Sequence, residues 1–220
     1  MKLTAETLNI LKNYATINQN IQFKQGSTLS TISPQKNILT KAEISEDIPK
    51  TFAIFDLNQL LATLSRLGDQ DFEVGENQLE CPAIPTFGYT FAETSMLVLP
   101  PDKTLEVPDP EIKFEMPQKT FDDVVGMALV WSVPDFVVVG DGSKIEIVCK
   151  DTGGHITHIY GKPVGTTDSV FQMVFKIENL KLLNGDYDVE ISSKGIGHFT
   201  HKTSKIEYWI ATEQNSNYSG

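Results

Sequence analysis

The sequence predicts an α+β protein built from two similar domains, each an antiparallel sheet with two helices on one face. An internal repeat, a leucine stripe at helical spacing and several runs of alternating apolar and polar residues predict it. The repeat sets the architecture. Phe55-Asp56-Leu57-Asn58-Gln59-Leu60, followed by Gly68-Asp69-Gln70-Asp71-Phe72-Glu73-Val74, returns as Phe175-Lys176-Ile177-Glu178-Asn179-Leu180, followed by Gly185-Asp186-Tyr187-Asp188-Val189-Glu190-Ile191. A fainter echo pairs Thr7, Leu8, Leu11 and Ala15 with Thr120, Phe121, Val124 and Ala128, so each half opens with a helix. The expected organisation is a first domain over 1–95, a connector over 96–110 and a second domain over 111–220.

Leu57, Leu60, Leu61, Leu64 and Leu67 recur at helical spacing, and Gly68 supplies a stop. By the repeat, the segment after Phe175 is expected to be a fourth helix. Tyr187, Val189 and Ile191 alternate with Asp186, Asp188, Glu190 and Ser192, the period of a strand wet on one face. Lys144 to Lys150 behaves likewise, and Gly140-Asp141-Gly142-Ser143 reads as the hairpin turn joining it to Phe136–Val139. Ile206, Tyr208 and Ile210 mark a further strand, and the tail from Gln214 reads as loose. Between the halves, Pro100, Pro101, Pro108 and Pro110 forbid a helix and indicate an extended connector. Its alternating apolar residues would lay it along the domain surfaces.

Among the 220 residues 40% are hydrophobic and 21% charged, which suits a folded globular protein. The formal net charge of −11 argues against a general phosphate-binding surface, so any nucleic-acid contact must use a segregated basic face. The apolar runs are too short to span a bilayer and the amino terminus carries no signal pattern, so no membrane association is expected and the protein should stay in the cytoplasm. Cys81 and Cys149 have no CxxC spacing and read as buried thiols.

His155-Ile156-Thr157-His158 and His198-Phe199-Thr200-His201 invite a metal reading. Strand positions three apart point to opposite faces, however, and neither pair has a third ligand at metal spacing. Gly140-Asp141-Gly142 and Gly195-Ile196-Gly197 lack the endings of phosphate-binding loops, and no activated serine or cysteine motif occurs. The expectation is a protein without cofactor, metal or catalytic residues, not an enzyme.

The opening from Met1-Lys2-Leu3-Thr4 through Leu11-Lys12-Asn13-Tyr14-Ala15-Thr16-Ile17-Asn18 resembles the start of the DNA polymerase sliding clamps of tailed bacteriophages. The entry Phe55-Asp56-Leu57-Asn58 and the stretches 137–147 and 177–187 are also similar. The resemblance implies two clamp-type domains per chain, assembling as a homotrimer into a ring, the DNA clamp fold, with helices lining the hole. It implies a processivity factor that encircles double-stranded DNA without reading sequence, tethers the replicative DNA polymerase, serves other replication proteins and is opened by an ATP-driven clamp loader in the cytoplasm of an infected bacterial host. A closed ring holds by topology, so it needs only a mildly positive hole, and an acidic exterior ceases to be an objection. The basic residues around the expected helices are the candidates for the DNA-facing set: Lys12, Arg66, Lys119, Lys176 and Lys181. Asp122 and Asp123 oppose them near the third helix. The resemblance also implies an apolar partner-binding pocket beside the connector, for which the apolar run offers Leu97, Val98 and Leu99, with Leu105 and Val107 beyond the prolines. The alternative reading from another class is a virion or assembly protein with repeated antiparallel domains.

Overall fold

Thr4 starts the first helix by accepting a hydrogen bond on its side chain from the Thr7 amide, and a carboxylate from a neighbouring strand fixes that corner. Thr7 Oγ1 donates to Glu46 Oε2 at 2.6 Å, and the Thr4 amide donates to the same carboxylate. The computed structural model describes residues 2–102 and 106–219, which fall into two compact units, Met1–Lys103 and Thr104–Gly220.

In the first unit the order is α1 (Ala5–Ile17), β1 (Ile21–Phe23), β2 (Gly26–Ile32), β3 (Ile38–Ile48), β4 (Phe52–Ile54), α2 (Leu57–Leu67), β5 (Glu73–Val74), β6 (Gln78–Glu80) and β7 (Gly88–Thr90). The pairs β1–β4 and β2–β3 are antiparallel, and β5, β6 and β7 form a small antiparallel sheet. Ile10, Leu11, Tyr14 and Ile17 make the buried stripe of α1, spaced as one helical face. Tyr14 is wholly buried, and its hydroxyl donates to the Leu29 carbonyl of β2 at 3.4 Å. α1 packs on β2 and β3, and α2 lies against α1. Phe23, Phe52 and Phe91 stack in series at 4.7 and 4.8 Å between ring centres.

In the second unit the order is β8 (Ile112–Met116), α3 (Gln118–Trp131), β9 (Asp135–Asp141), β10 (Lys144–Lys150), β11 (Tyr160–Thr166), β12 (Val170–Lys176), β13 (Tyr187–Ser192), β14 (Ile196–His201), β15 (Ile206–Ala211) and β16 (Asn217–Tyr218). One sheet runs β11-β10-β9-β12-β16, and β8, β13, β14 and β15 pair in that order. Phe136, Val137 and Val138 of β9 are buried in succession, which requires cover on both faces of the strand. Phe136 meets Phe121 of α3 at 5.8 Å, while Val137, Val148 and Val174 cluster on the opposite face. Phe175 of β12 meets Phe199 of β14 edge to face at 5.7 Å, joining the two sets of strands into one core.

The α+β class, the repeated antiparallel layers, α2 with its Gly68 stop, and the strands around 144, 187 and 206 stand as the sequence predicts. The fourth helix does not form. The segment after Phe175 makes only a 3-10 turn at Ile177–Asn179. Twelve residues separate Phe55 from Gly68 but only nine separate Phe175 from Gly185, so almost a full turn is missing. At the position where Asp56 caps α2 by accepting from the Gln59 amide at 2.9 Å, the second copy has Lys176, which has no acceptor to offer. Two tyrosines then hold the segment in another shape. Tyr187 donates its hydroxyl to the Leu183 carbonyl at 2.6 Å, and the Leu183 amide donates to Tyr208 at 3.1 Å. The tail also departs from expectation: β16 pairs with β12, and Tyr218 stacks on Phe171 at 6.0 Å.

Cys81 and Cys149 are buried free thiols. His198 stacks flat on Trp209 with its Nε2 at 2.9 Å from Glu207. His201 is buried with Nε2 on the Asn184 carbonyl, and its Nδ1 accepts from the Thr203 and Ser204 amides. Those bonds give the second histidine pair a packing role, and no group of three metal-ligating side chains assembles among the described residues.

Candidate nucleic-acid interface

The exposed faces of the three helices carry the cations that could meet a polyanion, one on each. Lys12 stands exposed in the middle of α1, on the side away from Ile10, Leu11 and Tyr14. Arg66 is exposed in the last turn of α2, where the helix dipole favours a cation. Gly68 closes that helix with φ 68°, its amide on the Leu64 carbonyl. This left-handed conformation costs a residue without Cβ little. Lys119 is exposed in the first turn of α3. That helix starts after Pro117 without a side-chain cap. Asp186 supplies the missing acceptor, taking the Gln118 amide at 2.7 Å.

The two acids that oppose this set are partly occupied within the fold. Asp123 pairs with Lys162 of β11 at 3.4 Å, and Asp122 accepts from the Gln118 side chain at 2.6 Å. Lys162 is no candidate from the sequence, because a strand lysine distant in the chain gives no sign that it neutralises a helix carboxylate.

Lys176 and Lys181 do not stand on a helix. Lys176 ends β12 with its Nζ at 2.6 Å from Asp135 Oδ1, and Asp135 is completely buried. Its other oxygen accepts from the Thr152 amide at 2.8 Å and the Thr152 hydroxyl at 2.5 Å. Burial pushes the Asp135 carboxyl up, but the bonds from Lys176 and Thr152 outweigh it and hold the group below the ordinary value. Lys176 is thus the counter-ion of a buried acid. Lys181 is half-buried beyond the 3-10 turn.

Leu97, Val98 and Leu99 are half-buried, and their segment is tied to the first unit. Asn18 Nδ2 donates to the Val98 carbonyl at 3.3 Å, and Lys24 pairs with Asp102 at 2.5 Å. Leu105 lies outside the described residues. Val107 is half-buried, and the segment beyond it is tied to the second unit by Ser192 Oγ donating to the Pro108 carbonyl at 2.6 Å.

Sequence reasoning missed two features of the helices. A cleft of about 300 Å³ opens between the N-terminal end of α1 and the C-terminal half of α2, lined by Leu3, Leu8, Lys12, Leu61 and Leu64 among others. The leucine stripe is visible in the sequence, but its spacing does not show which half stays open. At the end of α3, Leu129 and Val130 are 69% and 76% exposed, and Ile159 just before β11 is 60% exposed.

The family described as DNA polymerase processivity factor matches residues 4–79, the stretch containing α1 with Lys12 and α2 with Arg66. The sliding clamp of Vibrio phage KVP40 is 27% identical over 97% of this chain and 99% of its own length. The chain is similar over nearly its whole length to the phage sliding clamps. Its similarity to the clamp of Enterobacteria phage T4 is 26% identity over 99% of both chains, so it spans both units and not the repeat alone. Among solved structures, PCNA from Thermococcus kodakaraensis superposes with a TM-score of 0.69 at 11% identity, covering 97% of this chain and 99% of that one. PCNA of A. fulgidus, bound to the C-terminal region of FEN-1, gives 0.65 at 13%, covering 96% of both chains. At such low identity these matches establish the clamp fold and nothing further.

Proposed function

We propose that this chain is a non-enzymatic sliding clamp, three copies of which close around duplex DNA and tether the replicative polymerase. The observation that carries the reading is the likeness to phage sliding clamps over the whole chain, joined to a fold that puts one exposed cation on each helix of an otherwise acidic protein. In this reading Lys12, Arg66 and Lys119 meet the phosphate backbone, each weakly, and read no bases. Weak contacts suit sliding, because strong ones would arrest it, and the ring supplies retention that contact strength does not. Lys176 and Lys181 drop out of the set, the first because its charge is committed to Asp135.

Residues 96–110 are the connector between the two domains. Leu97, Val98 and Leu99, with Val107 beyond the prolines, flank a groove for short apolar tails of the polymerase and other replication proteins. An ATP-driven loader opens the ring, and all of these steps take place in the infected bacterial cell.

The test is processive synthesis by the cognate polymerase on primed circular DNA over a salt series. The variant Lys12→Ala/Arg66→Ala/Lys119→Ala should need lower salt for the same product length, with a salt dependence shallower by roughly 0.9 for each phosphate that is no longer neutralised. Processivity equal to that of the unaltered protein at every salt concentration would remove these residues from the interface. No stimulation by the unaltered protein would remove the clamp reading itself.

A further inference from the structure

We propose that the cleft between α1 and α2 is a docking site for a short acidic peptide segment that inserts one large apolar side chain and sets a carboxylate against Lys12. Four observations point to it. Helix α2 carries a continuous stripe of Leu57, Leu60, Leu61, Leu64 and Leu67, yet only Leu57 and Leu60 are buried. The C-terminal half of the stripe is left partly open, and Leu61 and Leu64 form one wall of the cleft. The facing wall is apolar too, because Leu3 and Leu8 are also half-buried. A helix seam that leaves four leucines partly wet withholds apolar burial that a partner can complete.

The cleft is large enough to be used. Its volume of about 300 Å³ falls at the lower end of ligand-binding pockets, which suits one or two side chains and not a globular surface. Behind it a further void of about 20 Å³ is lined by Leu3, Phe23, Phe52, Leu64 and Phe72, so the inner wall has room to yield to a bulky side chain.

Charge selects the occupant. Lys2, Lys12 and Asp69 stand around the cleft. Asp69 is already paired with Lys2 at 2.5 Å, and among the described residues no carboxylate pairs with Lys12. The cleft therefore presents apolar walls and one uncompensated cation, on a chain whose net charge is −11. A basic segment would meet Lys12 with like charge. An acidic one gains an ion pair at the edge of an apolar contact, where partial desolvation strengthens it. Such a site is separate from the groove proposed beside the connector, which Leu97, Val98 and Leu99 flank, but it shares Lys12 with the proposed DNA-facing set, so an acidic peptide and duplex DNA compete for that charge.

The test uses the free protein without DNA, polymerase or loader, so its outcome does not depend on the clamp reading. The probe is a blocked peptide, acetyl-Ser-Asp-Leu-Phe-Asp-Gly-amide, compared with a counterpart in which both aspartates are lysines. Methyl resonances of the leucines are followed during titration. The expected result is saturable shifts at Leu3, Leu8, Leu61 and Leu64, with the lysine peptide at least about tenfold weaker. Lys12→Glu should invert that preference while the remaining methyl spectrum reports an intact fold. Leu61→Gln supplies a second arm, weakening both peptides without moving the resonances of β9 to β12. Absence of shifts at millimolar peptide, shifts confined to Leu97 and Leu99, or equal affinity for the two peptides would each overturn the proposal.

Discussion

Asp135 and Lys176 show how one residue pair can be mistaken for another kind of site. In the sequence Lys176 is a lysine near a repeated helix motif. In the fold it is the counter-charge of a wholly buried carboxylate, one oxygen of which also takes two bonds from Thr152. Removing Lys176 leaves a buried carboxylate without its counter-ion, removing Asp135 leaves the Thr152 donors without their acceptor, and breaking a pair whose acid is buried costs about 3 kcal/mol. Lys176→Ala should therefore lower the thermal midpoint of the protein while leaving the salt dependence of processive synthesis unchanged, the opposite of the outcome expected for Lys12. Denaturation curves and the synthesis assay, run on the same variant, separate the two roles. The pair also fixes a pH dependence. The Asp135 carboxyl sits below its ordinary value of 3.8 in the folded protein, so the stability it lends is present above that value and fades as pH falls through the lower folded one. The Lys176 ammonium is raised above 10.5, chiefly by its hydrogen bond to Asp135, so its share is present below that value and is lost only as pH rises through the higher folded one. Asp135→Asn should flatten the acid limb of a stability-against-pH profile. An acid limb identical to that of the unaltered protein would place the relevant carboxylate elsewhere.

At the scale of elements, the contrast between the two copies of the repeat explains what a sequence can and cannot show. Helix α2 is specified locally: an acid caps it, five leucines stripe it and Gly68 ends it. Asp56→Ala should cost about 1 kcal/mol, since it removes the acceptor of the Gln59 amide, and urea unfolding measures it directly. The second copy keeps the motif letters but loses the cap and three residues of length, and what replaces the helix is decided by Tyr187 and Tyr208 reaching back to Leu183. Those bonds join residues brought together by strand pairing, so no local pattern announces them. The strands were legible because burial on one face imposes a period of two on the chain itself. Of the candidate site, the exposed helix cations were legible for the same reason, as the polar positions of amphipathic helices. The pairing of Lys162 with Asp123, the open half of the leucine stripe and the exposed end of α3 were not, because each depends on what packs beside an element.

The 177–185 segment carries a prediction of the same kind. Gly185 has φ 149°, and a Cβ there would lie 2.0 Å from the ring of His201. The ring is buried and bonded on both nitrogens, so it cannot swing aside without breaking those bonds. Gly185→Ala should destabilise the second unit by more than about 1 kcal/mol, with amide exchange rising first in β13 and β14. Exchange unchanged in those strands would mean that the turn relaxes independently of His201.

The whole molecule poses a problem of edges. Among the described residues, strand β11 ends its sheet with one side unpaired, and in the first unit β7 ends the small sheet in the same way. Unprotected edges of this kind invite pairing with another chain, and natural proteins either blunt them or use them. Beside β11 the surface argues for use: Leu129, Val130 and Ile159 are large apolar side chains left mostly exposed, next to the edge they flank. A ring requires head-to-tail contacts, in which a patch on one copy meets a different patch on the next, and contacts of this type close when the rotation per copy divides a full turn. In the proposed clamp the β11 edge of one copy pairs with the β7 edge of another, and the apolar patch at the end of α3 is buried by the contact, closing the ring at three copies. Light scattering over a dilution series should then show a trimer that dissociates directly to monomer. Leu129→Glu/Val130→Glu places two like charges in the buried part of that contact, so it should shift the equilibrium to monomer by at least a hundredfold in concentration. The circular dichroism and thermal midpoint of the monomer should be retained, because both positions are solvent-facing within one chain. A variant that remains trimeric would move the interface away from α3 and β11. An unaltered protein that stays monomeric, or stops at a dimer, at the highest accessible concentration would remove the three-copy ring.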